Sequence, residues 1–68
     1  MRYAVVFEKS ESSFGAYVPD LPGCAAAGAS LAETKTLISE AMKQHLADLK
    51  SAGENPPEPA SVCAYIDA

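Results

Sequence analysis

The sequence has 68 residues, of which 49% are hydrophobic and 21% charged, so it fits one small globular domain. Its formal net charge of −4, with only five dispersed basic residues, argues against nucleic-acid binding, because phosphate recognition needs clustered Lys and Arg. No apolar run approaches the roughly 18 residues that a membrane span needs, and the N-terminus lacks the pattern of a secretory signal, so we expect a cytoplasmic protein that contacts no membrane.

Two strands are predicted near the N-terminus. Arg2–Lys9 is rich in β-branched and aromatic residues on both parities, which predicts a strand that is central in its sheet. The short polar segment Ser10–Ser13 is typical of a hairpin connection. Phe14–Val18 is the second predicted strand, and it ends at Pro19, which cannot donate a ladder hydrogen bond.

A turn and a third strand follow. Asp20–Gly23 reads DLPG, in which Pro fixes one backbone angle and Gly accepts a positive φ. Cys24–Ala29 is rich in alanine, which favours a helix, but six residues between Gly23 and Ser30 are too few for a stable one. We therefore predict a strand with small side chains.

A long helix is predicted from Leu31 to Ala52. Ser30 and Glu33 have the spacing of a capping box, and Gly53 is placed to end the helix. Apolar residues then recur at steps of three and four along one stripe: Leu31, Leu37, Ile38, Ala41, Met42, Leu46 and Leu49.

The C-terminal part predicts a connector and a last strand. Glu54–Pro59 is an extended, proline-rich connector, and Val62–Ile66 has the composition of a short strand. The predicted fold is therefore α+β with the order β-β-β-α-β. Its four-stranded mixed sheet would have the strand order 3-2-1-4, with the last strand parallel to the first and the helix on one face.

The residues predict no catalytic group, no metal site and no cofactor. His45 lies on the flank of the apolar stripe without the partners of a general base. Cys24, His45 and Cys63 lack the paired spacing of metal ligands, and no glycine-rich phosphate loop precedes the helix. A small enzyme that uses Cys24 or His45 is an alternative, which burial and separation of the two side chains would exclude.

The two cysteines are interpreted as small, reduced apolar residues in strands. A disulfide between Cys24 and Cys63 stays open, on the condition that their strands bring the two Cα atoms within roughly 7 Å.

The surface is the more informative feature. One helix covers one face of a sheet, so some of the aromatic residues are expected on an open face that contacts a partner. The predicted partner interface consists of Phe14, Tyr17, Asp20 and Leu21. Because a domain this small is marginally stable, we also expect a homodimer or a higher homo-oligomer, formed through a sheet edge or the open face.

Three motifs occur in order along the chain: YVPDLPGC, then GAS-x-x-E, then GE-x-PPEP. Together they resemble the HicB family of antitoxins, from Met1 to about Pro59 and on through Ile66. The resemblance implies a partial RNase H-like fold. It also implies a partner, a small basic HicA-type toxin, which is an mRNA-cleaving ribonuclease with a catalytic histidine that the antitoxin neutralises.

Full-length members of that family usually carry a C-terminal DNA-binding domain. The sequence ends at Ala68, which leaves no residues for such a domain, so we expect a single HicB-like domain over residues 1–68. We also expect no direct nucleic-acid binding by this chain alone. The alternative is an orphan homo-oligomeric HicB-like domain, with a regulatory or structural role and no toxin partner.

Overall fold

Three short strands precede one long helix in the computed structural model, which describes all 68 residues. The strands are β1 (Val6–Lys9), β2 (Phe14–Tyr17) and β3 (Ala25–Gly28), and the helix is α1 (Leu31–Ser51). They form one antiparallel sheet in the order β1-β2-β3. The first four predicted elements are therefore present; β1 has half of its predicted length, and the other three are shorter by one or two residues.

The short length of β1 has a local cause in β2. The register places Val6 opposite Tyr17, so its continuation would place Ala4 opposite Pro19. The N–H of Val18 points away from β1, toward the β3 side, and donates to the Cys24 carbonyl at 3.1 Å. The next donor toward β1 would come from Pro19, which has no N–H. Pairing along β1 therefore starts at Val6 rather than at Arg2.

The turn between β2 and β3 buries a side chain in the core. The N–H of Leu21 donates to the Val18 carbonyl at 3.1 Å, and the N–H of Cys24 donates to the Leu21 carbonyl at 3.0 Å. Gly23 has a φ of 84°, which only glycine adopts without strain. This geometry turns Leu21 inward, where it is 0% exposed.

Both ends of α1 are capped by nearby residues, as predicted. The Ser30 hydroxyl accepts from the N–H of Glu33 at 3.1 Å. The Glu33 carboxylate accepts from the N–H of Ala29 at 3.3 Å, one residue earlier than in a standard capping box. At the other end Gly53 has a φ of 75°, and the N–H of Glu54 donates to the Leu49 carbonyl at 2.9 Å. This is a Schellman motif, which ends the helix.

The core lies between α1 and one face of the sheet. Its buried apolar members come from β2, the following turn, the start of β3 and the helix: Ala16, Val18, Leu21, Cys24 and Ile38. Thr34 is also fully buried, and its hydroxyl donates to the Ser30 carbonyl at 2.7 Å. The helix approaches β3 closely at Gly28, where an added Cβ would lie 2.8 Å from the Thr34 Oγ1.

The predicted four-stranded sheet with the order 3-2-1-4 is wrong. The sheet has three strands, all antiparallel, and Val62–Ile66 forms no strand. The partial RNase H-like architecture is therefore not supported either. Val62–Ile66 has the amino-acid composition of a strand, but strand propensity alone does not supply a hydrogen-bonding partner.

The C-terminal segment is fixed by hydrogen bonds at its start, the root of the segment at residues 57–61, and its later residues are unpaired. The Tyr3 hydroxyl donates to the Pro57 carbonyl at 2.6 Å, and Asp20 binds Ala60 and Ser61. Beyond that root the chain runs alongside β1 and the residues before it, separated from them by open clefts with volumes of about 390 and 340 Å³. No helix of the chain is long and apolar enough to cross a membrane.

Candidate partner-binding surface

The sheet face that points away from α1 is the open surface of this molecule. Alternate residues of a strand point to opposite faces, and Phe7, Ala16 and Ala26 occupy one row on the core side. The open face therefore carries two rows across the three strands, Val6–Tyr17–Ala25 and Glu8–Gly15–Ala27.

Tyr17 is the main feature of this open face. Its side chain is 43% exposed, although it lies in the central strand. Two of its neighbours on the same face are small, because Gly15 has no side chain and Ala25 has one methyl group, while Val6 lies opposite it on β1. The ring therefore stands above a shallow apolar surface, with the Glu8 carboxylate on the adjacent row.

The four residues of the predicted interface do not lie together. Tyr17 is on the open face, but Phe14 has the same parity as Ala16 and is half-buried on the helix side. Leu21 is fully buried, so its side chain is not available to a partner. Asp20 lies outside the sheet and contacts the C-terminal segment.

Asp20 has a structural use that the sequence did not reveal. One carboxylate oxygen accepts from the N–H groups of Ser61 and Ala60, each at 2.9 Å, and the other accepts from the Ser61 hydroxyl at 2.9 Å. The hydrogen bond from the Ser61 N–H, followed by those from the Ala60 N–H and the Ser61 hydroxyl, lowers the pKa of Asp20. These bonds stabilise the charged form, so the carboxylate anchors a segment 40 residues away.

Sequence reasoning missed Val6 and Glu8 as surface residues. The Arg2–Lys9 pattern indicated which residues share a parity, but it could not indicate which parity the helix covers. That information comes from the register, which places Val6 beside Tyr17 and Glu8 beside Gly15.

The residues considered for chemistry differ in exposure, and the two cysteines are free thiols. Cys24 is buried just before β3, and burial raises the pKa of its thiol, which disfavours the reactive thiolate. Cys63 is exposed, lies in no strand, and is also a free thiol. His45 is half-buried on α1. No group of three or more His, Cys, Asp or Glu side chains is arranged to hold a metal ion.

Comparison with known families identifies the kind of protein that carries this surface. Residues 3–68 match the family described as the HicB-like antitoxin of bacterial toxin-antitoxin systems. The chain belongs to this family. The resemblance carried by the three sequence motifs is thereby confirmed over nearly the whole chain. The family is one of antitoxin domains and is not a known enzyme family.

One curated protein is similar to this HicB-like chain. It is an uncharacterised 14.9 kDa protein from the rep-hol intergenic region of Haemophilus phage HP1 (strain HP1c1), and it is 31% identical over 67 residues. The alignment covers 98% of this chain and 50% of that protein, so the chain spans half the length of its relative. No solved structure matches the chain.

Proposed function

We propose that this HicB-like chain is an antitoxin that binds and neutralises a small basic mRNA-cleaving toxin of the HicA type. The observation that carries the proposal is the family match over residues 3–68. An antitoxin of this kind acts by contact, so its function requires an exposed surface rather than a catalytic centre.

The open face around Tyr17 is the surface that we assign to the toxin. Interfaces are enriched in tyrosine, which combines a large apolar area with a polar tip, and such residues often dominate the binding energy. Small neighbours leave the ring accessible, and Val6 extends the apolar surface.

Charge supports the same partner. The chain has a formal net charge of −4, and Glu8 is exposed on the open face. A basic toxin would be attracted to this acidic protein, which raises the association rate and helps to exclude acidic competitors. Leu21 serves this interface indirectly, because it belongs to the core that lies between the sheet and the helix.

The proposal is tested by co-expression with the product of a small basic reading frame adjacent to the gene. The expected result is co-purification and relief of toxicity. Tyr17→Ala should weaken binding by roughly 10- to 100-fold, as expected for removal of a dominant interface tyrosine. Glu8→Lys should slow association, most clearly at low salt.

The chain offers a matched control for each substitution. Leu31 on α1 is 46% exposed, close to the 43% of Tyr17, so Leu31→Ala removes a similar surface from the helix layer. Glu40 is exposed on α1, so Glu40→Lys makes the same charge change away from the open face.

Two results would count against the proposal at different levels. Failure to co-purify, with toxicity unrelieved, would remove the antitoxin function and favour the orphan regulatory or structural domain. Binding that survives Tyr17→Ala but is lost with Leu31→Ala would keep the function and move the toxin surface to the helix.

A further inference from the structure

An unpaired strand edge and an unpaired segment lie side by side in this molecule. β1 is the edge of the sheet and pairs only with β2. None of the backbone groups of Val62–Ile66 takes part in a backbone hydrogen bond. Such free edges and extended apolar segments are the elements from which strand addition between chains is built.

The space between them is an apolar cleft. One part is lined by Arg2, Tyr3 and Ala4 on one side and Ser61–Cys63 on the other, with a volume of about 390 Å³. The next part, of about 340 Å³, is lined only by apolar residues of Val5–Phe7 and Val62–Tyr65. No backbone hydrogen bond joins the two walls of this cleft.

The walls of the cleft run in the same direction. Residues 2–4 face 61–63, and residues 5–7 face 62–65, so the C-terminal segment follows β1 in parallel. A two-fold axis perpendicular to the strands reverses the direction of a second copy. The segment of that copy would therefore enter the cleft antiparallel to both walls.

We propose that two copies of this chain associate about such an axis and that each inserts its Val62–Ile66 into the cleft of the other. Each inserted segment pairs with β1 of its partner on one side and with the partner's equivalent segment on the other. The two sheets and the two segments then form one continuous antiparallel sheet of eight strands, and the edge at β1 disappears.

The exposure of the segment favours a second copy as its occupant. Val62 is 92% exposed, Tyr65 105% and Ile66 89%, so these side chains have nothing to cover them within one chain. A two-fold exchange pairs both segments at once, because the same molecule supplies the segment and the cleft, and pairing Val62 with Phe7 would place Val62 and Ile66 on the core side of the joined sheet. With both segments inserted, we estimate that roughly 1,000–1,500 Å² is buried, which reaches the size of a specific interface.

Charge favours the antiparallel direction. If Val62 pairs with Phe7 of the other copy, Asp67 lies opposite Arg2. A parallel arrangement would bring Asp67 toward Glu8 instead. Opposite charges across a strand pair stabilise it and like charges destabilise it, which selects the intercopy geometry.

The first test is the oligomeric state of the chain alone, so its result does not depend on whether a toxin exists. Light scattering and sedimentation at micromolar concentration should show a dimer. Val62→Asp and Ile66→Asp should each weaken dimerisation by at least about 100-fold, because both residues share the parity that faces the core side of the joined sheet, where a charge is costly. Leu31→Asp, which makes the same kind of change at an exposed residue of α1, should leave the dimer intact.

The second test locates the contact. A sample that mixes isotope-labelled and unlabelled chains should give intermolecular nuclear Overhauser effects between Val62–Ile66 and Val5–Phe7. A monomer would overturn the proposal, as would a dimer that Leu31→Asp dissociates and Ile66→Asp does not. Exclusively intramolecular effects between the segment and β1 would also overturn it. Circular dichroism of the helix checks that each variant is folded.

Discussion

Gly28 is the position where the helix layer and the sheet come closest, and Gly28→Ala tests how α1 is docked. A Cβ at this residue would lie 2.8 Å from the Thr34 Oγ1, 3.2 Å from the Thr34 N and 3.3 Å from the Glu33 Cγ. Gly28 does not have a positive φ, so the backbone itself accepts alanine. The cost of the substitution is therefore a packing cost.

The neighbour of the new methyl group has little freedom to move. Thr34 is 0% exposed, and its hydroxyl is held by the Ser30 carbonyl at 2.7 Å, which is part of the start of α1. Relief of the clash requires α1 to shift away from β3. Overpacking of this kind costs about 1–3 kcal/mol, and the lower entropy of the unfolded alanine chain offsets about 0.4–1 kcal/mol of it.

The expected net destabilisation of Gly28→Ala is about 0.5–2 kcal/mol, out of a total stability of roughly 3–10 kcal/mol for a chain of this length. For a domain of this size, a loss of 1 kcal/mol lowers Tm by about 4–8 °C. Thermal and urea unfolding, followed by the circular dichroism of the helix, will measure the change.

Gly15 supplies the matched control, since it lies in the same sheet. A Cβ at Gly15 would have nothing within 4 Å, and its φ is not positive. Gly15→Ala should therefore be neutral or stabilise the fold by up to about 1 kcal/mol. Equal unfolding midpoints for the two alanine variants would refute the close docking of α1 on β3.

Three further predictions follow from the turn and the cysteines. Leu21→Ala should lower the free energy of unfolding by about 2–5 kcal/mol and leave much of the chain unfolded. Leu21→Met should lower it by less than about 1.5 kcal/mol. Equal Tm values for the two variants would contradict the buried position of Leu21. The lowered pKa of Asp20 means that its anchoring is complete above the ordinary carboxyl range and is lost as the pH falls through the lower folded value. The protection of the Ser61 amide, measured as its intrinsic exchange rate divided by its observed rate, should therefore fall with acidification in the wild type. In Asp20→Ala, which removes both acceptor oxygens, this protection should be absent at every pH, and a profile unchanged from the wild type would exclude the anchor. Iodoacetamide should modify the exposed Cys63 well before Cys24, whose thiol is buried and has a raised pKa, and equal rates would contradict that burial.

The helix was predictable because its signals are local. Ser30, Glu33 and Gly53 each act on backbone groups within five residues. The contacts of Ser30 and Gly53 form as the sequence indicates, whereas Glu33 accepts from the N–H of Ala29 rather than from that of Ser30. The three N-terminal strands were predictable for a similar reason, since short polar or Gly-Pro turns separate apolar runs. The length of β1 was not, because it depends on the missing N–H of Pro19, which lies just after β2.

The fourth strand and the binding surface depend on contacts between distant residues. Val62–Ile66 has strand composition, but pairing requires an edge at the right distance, which no local pattern reports. The parity of β2 correctly separated Phe14 from Tyr17. Only the docking of α1 decides which of the two side chains remains exposed, so the predicted interface mixed core and surface residues.

The turn between β2 and β3 explains why the edge of β1 is open. Adjacent residues of this turn have divergent roles, because Leu21 fills the core while Asp20 holds Ala60 and Ser61. The start of the C-terminal segment is therefore positioned by this turn and by Tyr3, with no backbone hydrogen bond from β1 to the residues that follow. A segment fixed at its root and unpaired beyond it keeps its apolar side chains available to a second chain. Val62–Ile66 forms no strand within one chain, but its free backbone groups and apolar side chains suit the pairing that we propose between two chains.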